Sequence, residues 1–112
     1  MGLTTWSPLA SGMLTGKYDS GITEGRLSRM DSLKDTFYTD ENTTKVKAMK
    51  KLADAAECSR SQLALAWVAA QKGISSVILG ATTIEQLKEN LGALRVTITP
   101  EMDKELKKLF VI

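Results

Sequence analysis

The sequence predicts a parallel α/β fold, of which these 112 residues hold only a part. Three observations predict it. Strand and helix signals alternate along the chain in the order strand, long loop, helix, helix, strand, helix, helix. The second strand signal, "SSVILG" at 75–80, carries Val77, Ile78 and Leu79 in an unbroken apolar run. That is the pattern of a parallel strand covered on both faces. Such a strand needs neighbours on both edges, yet the sequence offers one other strand signal. With 43% hydrophobic and 25% charged residues the composition is that of a globular chain, so disorder does not explain the shortfall. The length allows one domain at most, or a piece of one.

The elements follow in order. "GLTTW" has the threonines and tryptophan that suit a short strand, and Pro8 ends it because it cannot donate a ladder hydrogen bond. From Pro8 to about Asn42 the chain reads as a loop, with Gly12, Gly16, Gly21 and Gly25 spread through it and a weak helical turn in "LSRMDSLKDTF". A loop of that length in a compact domain marks a lid or a binding segment. A helix is expected from about Thr44 to Glu57, where Val46, Met49, Leu52 and Ala56 recur at helical spacing. Ser59 and Gln62 then form the capping box S-x-x-Q. The helix they open closes at Gly73, a favoured left-handed position. Its apolar run, Leu63 to Ala70, predicts packing on more than one face. After the "SSVILG" strand, a helix from about Thr83 to Leu91 is expected to stop at Gly92. The last helix starts with Thr99 as cap and Pro100 at its first position, with Met102, Leu106 and Phe110 on its apolar face.

Composition removes several functions. Fifteen basic against thirteen acidic residues give a net charge of +2, too mild a field to imply a nucleic-acid partner. "KVKAMKK" at 45–51 reads as the wet face of a helix. Cys58 is the single cysteine, so no internal disulfide forms, and its setting suggests a packing residue. The absence of histidine excludes Ser-His-Asp and Cys-His catalysis and most metal sites. No apolar run reaches the roughly 18 residues of a membrane span, and "MGLTTWSPLA" lacks the character of a signal peptide. A cytoplasmic setting is the expectation. Chemistry here would need carboxylates, lysines or a cofactor.

The two strand ends suggest which. In a βα unit the loop after the strand lies where α/β proteins bind ligands. After the second strand that loop is "GATT". Gly80 lets backbone approach closely, Thr82 and Thr83 offer hydroxyls, and the start of the next helix presents free N–H groups to an anion. A threonine there also serves simply as a cap. After the first strand, "WSPLASGMLTGKY" supplies an aromatic face at Trp6, hydroxyls at Ser7 and Ser11, flexible glycines and Lys17. These are parts for stacking a heteroaromatic ring and holding a pyrophosphate, although a lone tryptophan is more often a core residue.

Three ordered stretches, "WSPLASGMLTGKYDSG", "QLALAWV" and "SSVILGATTIEQLKENLGAL", resemble the C-terminal part of aldo-keto reductases. Within that family the branch with voltage-gated potassium channel β subunits is the most similar. The resemblance runs from Thr4 to about Leu109. It implies a (β/α)8 TIM barrel that binds NADP(H) across its C-terminal mouth, with "LTTWSP" as the seventh strand and "SSVILG" as the eighth. The whole chain, 1–112, would then be the C-terminal segment of one partial reductase domain. By the same resemblance Trp6 packs on the nicotinamide ring, and Ser7, Pro8, Leu9 and Gly12 line the pyrophosphate cradle. Lys17 pairs with cofactor phosphate, and Arg26 (or Arg29, depending on loop register) contacts the cofactor. Gly80 and Thr82 hold the adenosine end, and Gln86, Glu89 and Asn90 contact the ribose phosphate and adenine. Ile84, Leu87 and Leu91 would face the barrel.

The resemblance also implies what is missing. The family's catalytic residues come from earlier strands, and nothing here matches them; Lys17 and Tyr18 are not the catalytic pair. The chain is thus expected to be the cofactor-gripping part of an enzyme that reduces aldehydes or ketones, and inactive alone. A regulatory channel β subunit, with bound nucleotide as redox sensor and a potassium channel α subunit as partner, shares the same segment. The helix-rich sequence also allows a small helical interaction domain. In either of the first two cases the isolated chain would expose apolar surface and be marginally stable.

Overall fold

The computed structural model describes residues 1–22 and 24–111. Strands β1 (Leu3–Thr5) and β2 (Ile74–Val77) pair in parallel, with Leu3 opposite Ile74, Thr4 opposite Ser76 and Thr5 opposite Val77. An irregularity between Leu3 and Thr4 shifts the register by one residue. The ladder extends one bond past each end, from Leu3 N–H to Gly73 O (2.9 Å) and from Ile78 N–H to Thr5 O (2.7 Å). Because the pairing is parallel, both strands end on the same side of the sheet.

Between the strands run α1 (Asp31–Phe37), α2 (Asp40–Ala55) and α3 (Arg60–Ala69), and after β2 come α4 (Ile84–Leu91) and α5 (Pro100–Phe110). The capping box forms as expected: Gln62 N–H donates to Ser59 Oγ while Ser59 N–H donates to Gln62 Oε1. Thr99 caps α5 through Met102 N–H, and Pro100 takes the first position, where its missing N–H costs nothing. The core lies between α2, α3 and α5, where Met49, Ala53, Leu63, Ala64 and Leu106 are buried. A second cluster, Met13, Tyr18, Leu27 and Val46, fastens the segment after β1 to α2.

Several expectations are corrected. Helix α1 lies within "LSRMDSLKDTF", where a weak helical turn is expected, and the stretch from Pro8 to Asn42 also holds unexpected 3-10 turns at Ala10–Thr15 and Arg26–Ser28. Its irregular glycines mask these turns, which have no long apolar period. Helix α2 starts at Asp40 rather than Thr44 and ends at Ala55, since Thr39 accepts from Asn42 N–H and is the true cap. Helix α3 is buried at Leu63–Ala66 but exposes Ala69 and Ala70. The strand β2 lies earlier than "SSVILG", and Ile78 is 54% exposed instead of buried. Helix α4 does end at Leu91 with Gly92 as its C-cap, and an unexpected 3-10 turn follows it to Arg95. The sheet has two strands and does not close into a barrel. Accordingly Ile84, Leu87 and Leu91 face no barrel and are exposed.

Candidate functional site

The backbone after β1 is unusual. Ser7, Ala10 and Ser11 have φ of 53°, 50° and 58°, and Gly12 follows at 96°. Non-glycine residues in this left-handed region cost on the order of 1 kcal/mol each, and such strain clusters at ligand clamps. The turn is held by Ala10 N–H donating to Ser7 O, and by Gly12 and Leu14 N–H both donating to Leu9 O, each at 3.1 Å. Leu9 itself is near right-handed (φ −105°, ψ 12°), so a right-to-left-handed alternation occurs at Leu9–Ala10. That alternation curls the backbone into a tight turn whose Ala10 and Gly12 N–H groups are bonded within it. Trp6, just before it, is 80% exposed and presents an open ring. At the last residue of β1, Thr5 Oγ1 is buried without a partner among the described residues.

Lys17 lies over this turn. A Cβ added at Gly12 would sit 3.4 Å from Lys17 Cε, so the missing side chain makes room for the lysine stem. Thr15 Oγ1 donates to Gly12 O (2.6 Å) and accepts from Lys17 N–H (3.2 Å), tying the lysine's backbone to the same turn. Next to it Tyr18 is buried, its hydroxyl accepting from Leu27 N–H at 3.3 Å. Arg26 and Arg29 are both exposed at the ends of the short 3-10 turn.

The second loop leaves β2 on the same side of the sheet. Nothing stands within 4 Å of a Cβ placed at Gly80, which leaves open space for a ligand's backbone contact. Thr83 caps α4 by accepting from Gln86 N–H at 3.1 Å. Gln86 Oε1 in turn accepts from Thr82 N–H (2.9 Å) and Thr82 Oγ1 (3.0 Å). Thr82 and Gln86 therefore form a preassembled polar pair at a helix start. Glu89 is exposed, with its backbone carbonyl accepting from Gln62 Nε2 at 2.8 Å. Asn90 differs from both: it is 7% exposed and belongs to the interior.

Parallel pairing thus brings together the segments bearing Trp6, Ser7, Pro8, Leu9 and Gly12 with those bearing Gly80 and Thr82, and Lys17 overhangs the first. Arg26 lies on a separate turn, and Asn90 turns away from Gln86 and Glu89 into the packed side. Sequence reasoning missed the strain at Ser7, Ala10 and Ser11, which has no composition signal in non-glycine residues. It also missed an ion pair from Asp19 to Arg60, because residues so far apart in sequence give no periodic cue. Elsewhere, burial pushes the Cys58 thiol up, which fits a packing role. No group of three or more metal-ligating side chains stands together among the described residues, and no described helix is long and apolar enough to cross a membrane.

Comparison with known proteins follows this geometry. The model of the "Aldo/keto reductase family" matches residues 1–110. A curated relative, "Probable voltage-gated potassium channel subunit beta" of Oryza sativa subsp. japonica, is 44% identical over 108 residues, covering 91% of this chain and 33% of the relative. The chain therefore spans about a third of the length of that relative.

Proposed function

The chain belongs to the aldo/keto reductase family, and from that premise we propose that it is a segment that grips NADP(H) at the C-terminal mouth of a (β/α)8 barrel. In this reading β1 is the seventh strand, β2 the eighth, and residues 1–112 are the C-terminal segment of one reductase domain. The observation that carries it is the strained turn after β1 lying on the same side of the parallel sheet as the capped start of α4. The residues fit the group. Trp6 offers an open aromatic face for a nicotinamide ring, and the turn built on left-handed Ser7, Ala10, Ser11 and Gly12 suits a pyrophosphate. Gly12 leaves the space that Lys17 needs to reach a phosphate, and the dipole of α4 adds positive potential beside Gly80 and Thr82. Gln86 and Glu89 stand on α4 within the same exposed stretch, and Arg26 joins once its turn approaches. Asn90 reaches the adenine only if α4 repacks.

The bound cofactor supplies hydride to an aldehyde or ketone. This chain's own residues bind and orient it; no proton donor is assigned among them, so turnover requires strands outside this segment. NADPH titration, with Trp6 fluorescence as readout, tests the reading on the 112-residue chain and on an N-terminally extended one. Binding by the extended protein with a Kd in the micromolar range is expected, and failure of both to bind sinks it. A second reading has its own observation, the channel β subunit named in the rice relative. It assigns the parent protein to a potassium channel α subunit, with the nucleotide as redox sensor. Co-purification with a channel favours it, and robust aldehyde turnover without one counts against it. The family match over residues 1–110 leaves a nucleotide-free helical interaction domain without support.

A further inference from the structure

Arg60 is the first residue of α3, and its guanidinium bonds in two directions. Nη1 lies 2.8 Å from Asp19 Oδ2 and donates to Val46 O, in α2, at 3.1 Å. Only 13% of the Arg60 side chain and 27% of the Asp19 side chain are exposed. Water therefore compensates little for losing either partner. Asp19 Oδ1 is buried and has no hydrogen-bond partner among the described residues, so Arg60 is the compensation this carboxylate has. Gly16 completes the arrangement. Its φ is +84°, and a Cβ there would run into the Arg60 guanidinium. The backbone at Gly16 and the carboxylate of Asp19 are thus both held against one side chain. Lys17 lies between them and is exposed, while Tyr18 is sealed inside by its bond from Leu27 N–H.

We propose that Arg60 is a positioning residue, which clamps segment 16–19 to α2 and α3 through Asp19 and Gly16 and so fixes where Lys17 presents its ammonium to a nucleotide phosphate. The phosphate half of this statement rests on the nucleotide reading above; the clamp itself rests on geometry alone. A clamped lysine loses less freedom when it meets the phosphate, because its backbone is already ordered.

The experiment combines amide hydrogen exchange with NADPH titration on the N-terminally extended protein and three variants of it, Arg60→Gln, Asp19→Ala and Lys17→Ala. Arg60→Gln and Asp19→Ala should each speed exchange across residues 16–22 by about tenfold or more and weaken NADPH by about tenfold, the scale of one lost charged hydrogen bond. Their double variant should do no more than Arg60→Gln alone, since Asp19→Ala breaks only the pair that Arg60→Gln already breaks. Lys17→Ala should weaken NADPH while leaving exchange as in the wild type. If Arg60→Gln unfolds α2, Asp19→Ala decides, because it leaves the Arg60–Val46 bond in place. Unchanged exchange at 16–22 overturns the clamp. Unchanged affinity in both clamp variants, with affinity lost in Lys17→Ala, overturns its role in positioning. NADPH binding indifferent to Lys17→Ala overturns the nucleotide reading instead, and the exchange results then judge the clamp alone.

Discussion

Helices α5 and α4 carry equally good apolar faces and meet opposite fates. On α5, Met102, Leu106 and Phe110 repeat every four residues, and Leu106 is buried to 4% exposure against Met49 and Leu63. On α4, Ile84, Leu87 and Leu91 repeat at helical spacing too, yet they are 69%, 44% and 51% exposed. The strands side with α4: Leu3 and Ile78 are 59% and 54% exposed. What separates the two regions is partners. Helices α2, α3 and α5 find one another within this segment, whereas the sheet and α4 meet α3 on one side and leave the other face uncovered among the described residues. A periodic pattern selects the element, but burial is decided by chain that need not be nearby. The open region is also the one that bears the candidate site.

The largest expected effect breaks the closed half. Leu63 is fully buried in the centre of that core, so Leu63→Ala should cost about 2–5 kcal/mol, enough to unfold a marginal domain. The same truncation at Leu87 should cost little in this chain, because 44% of it already meets water. Paired urea titrations of the two variants measure the contrast. Similar losses at both positions would mean that α4 is covered after all, by a second copy of the chain.

A second test acts on that possibility directly. Replacing Ile84, Leu87 and Leu91 together by serine should leave helical content in place and raise the monomeric fraction in size-exclusion chromatography. Exposed apolar patches of this kind drive association. Monomeric behaviour of the unmodified chain at high concentration would go against it.

These contrasts also mark what was legible in the sequence. The caps at Ser59, Thr83 and Thr99, the strand "LTT" and the crossover from one strand to the other were readable, because each depends on residues within a few positions. "VIL" was legible as a run made to be covered by strands this segment lacks, and Ile78 is accordingly exposed while Val77 and Leu79 are half-buried. Inside 8–42, α1 was legible as a weak helical turn, whereas the 3-10 turns were hidden because they leave no apolar period, and the start of α2 was misplaced because Thr39, not a later residue, caps it. At the candidate site the residue types were legible and the placements were not. Left-handed Ser7, Ala10 and Ser11 and the Arg60–Asp19 pair are tertiary facts.

Capping offers a third, smaller contrast. Ser59→Ala removes the Oγ acceptor of a box that starts a buried helix, leaving its backbone N–H to donate to Gln62 Oε1, and should lower global stability by about 1 kcal/mol. Thr83→Ala removes an equivalent cap from a helix that shares little of the core. Its cost should show as faster amide exchange in residues 84–88 and hardly at all in the global urea midpoint. Equal global losses would place α4 in the same cooperative unit as α3.

The smallest effect uses the two tryptophans, one in each region. Trp6 is 80% exposed, whereas Trp67 donates its Nε1–H to Asp103 Oδ1 at 2.8 Å. Hydrogen bonds from Lys107 first, then from Trp67, hold the Asp103 carboxyl below the usual carboxylate range. A carboxyl whose pKa is lower folded than unfolded adds stability above its unfolded value. That stability is lost as pH falls through the folded value. With Trp6→Phe as background, the remaining emission reports Trp67 alone, and its shift should track this loss on acidification. Asp103→Asn should flatten the profile and converge with the parent at low pH, because protonation has by then removed the same charge. An unaltered acid profile in Asp103→Asn would show that other carboxylates set acid stability and that the Trp67–Asp103 bond only orients the ring.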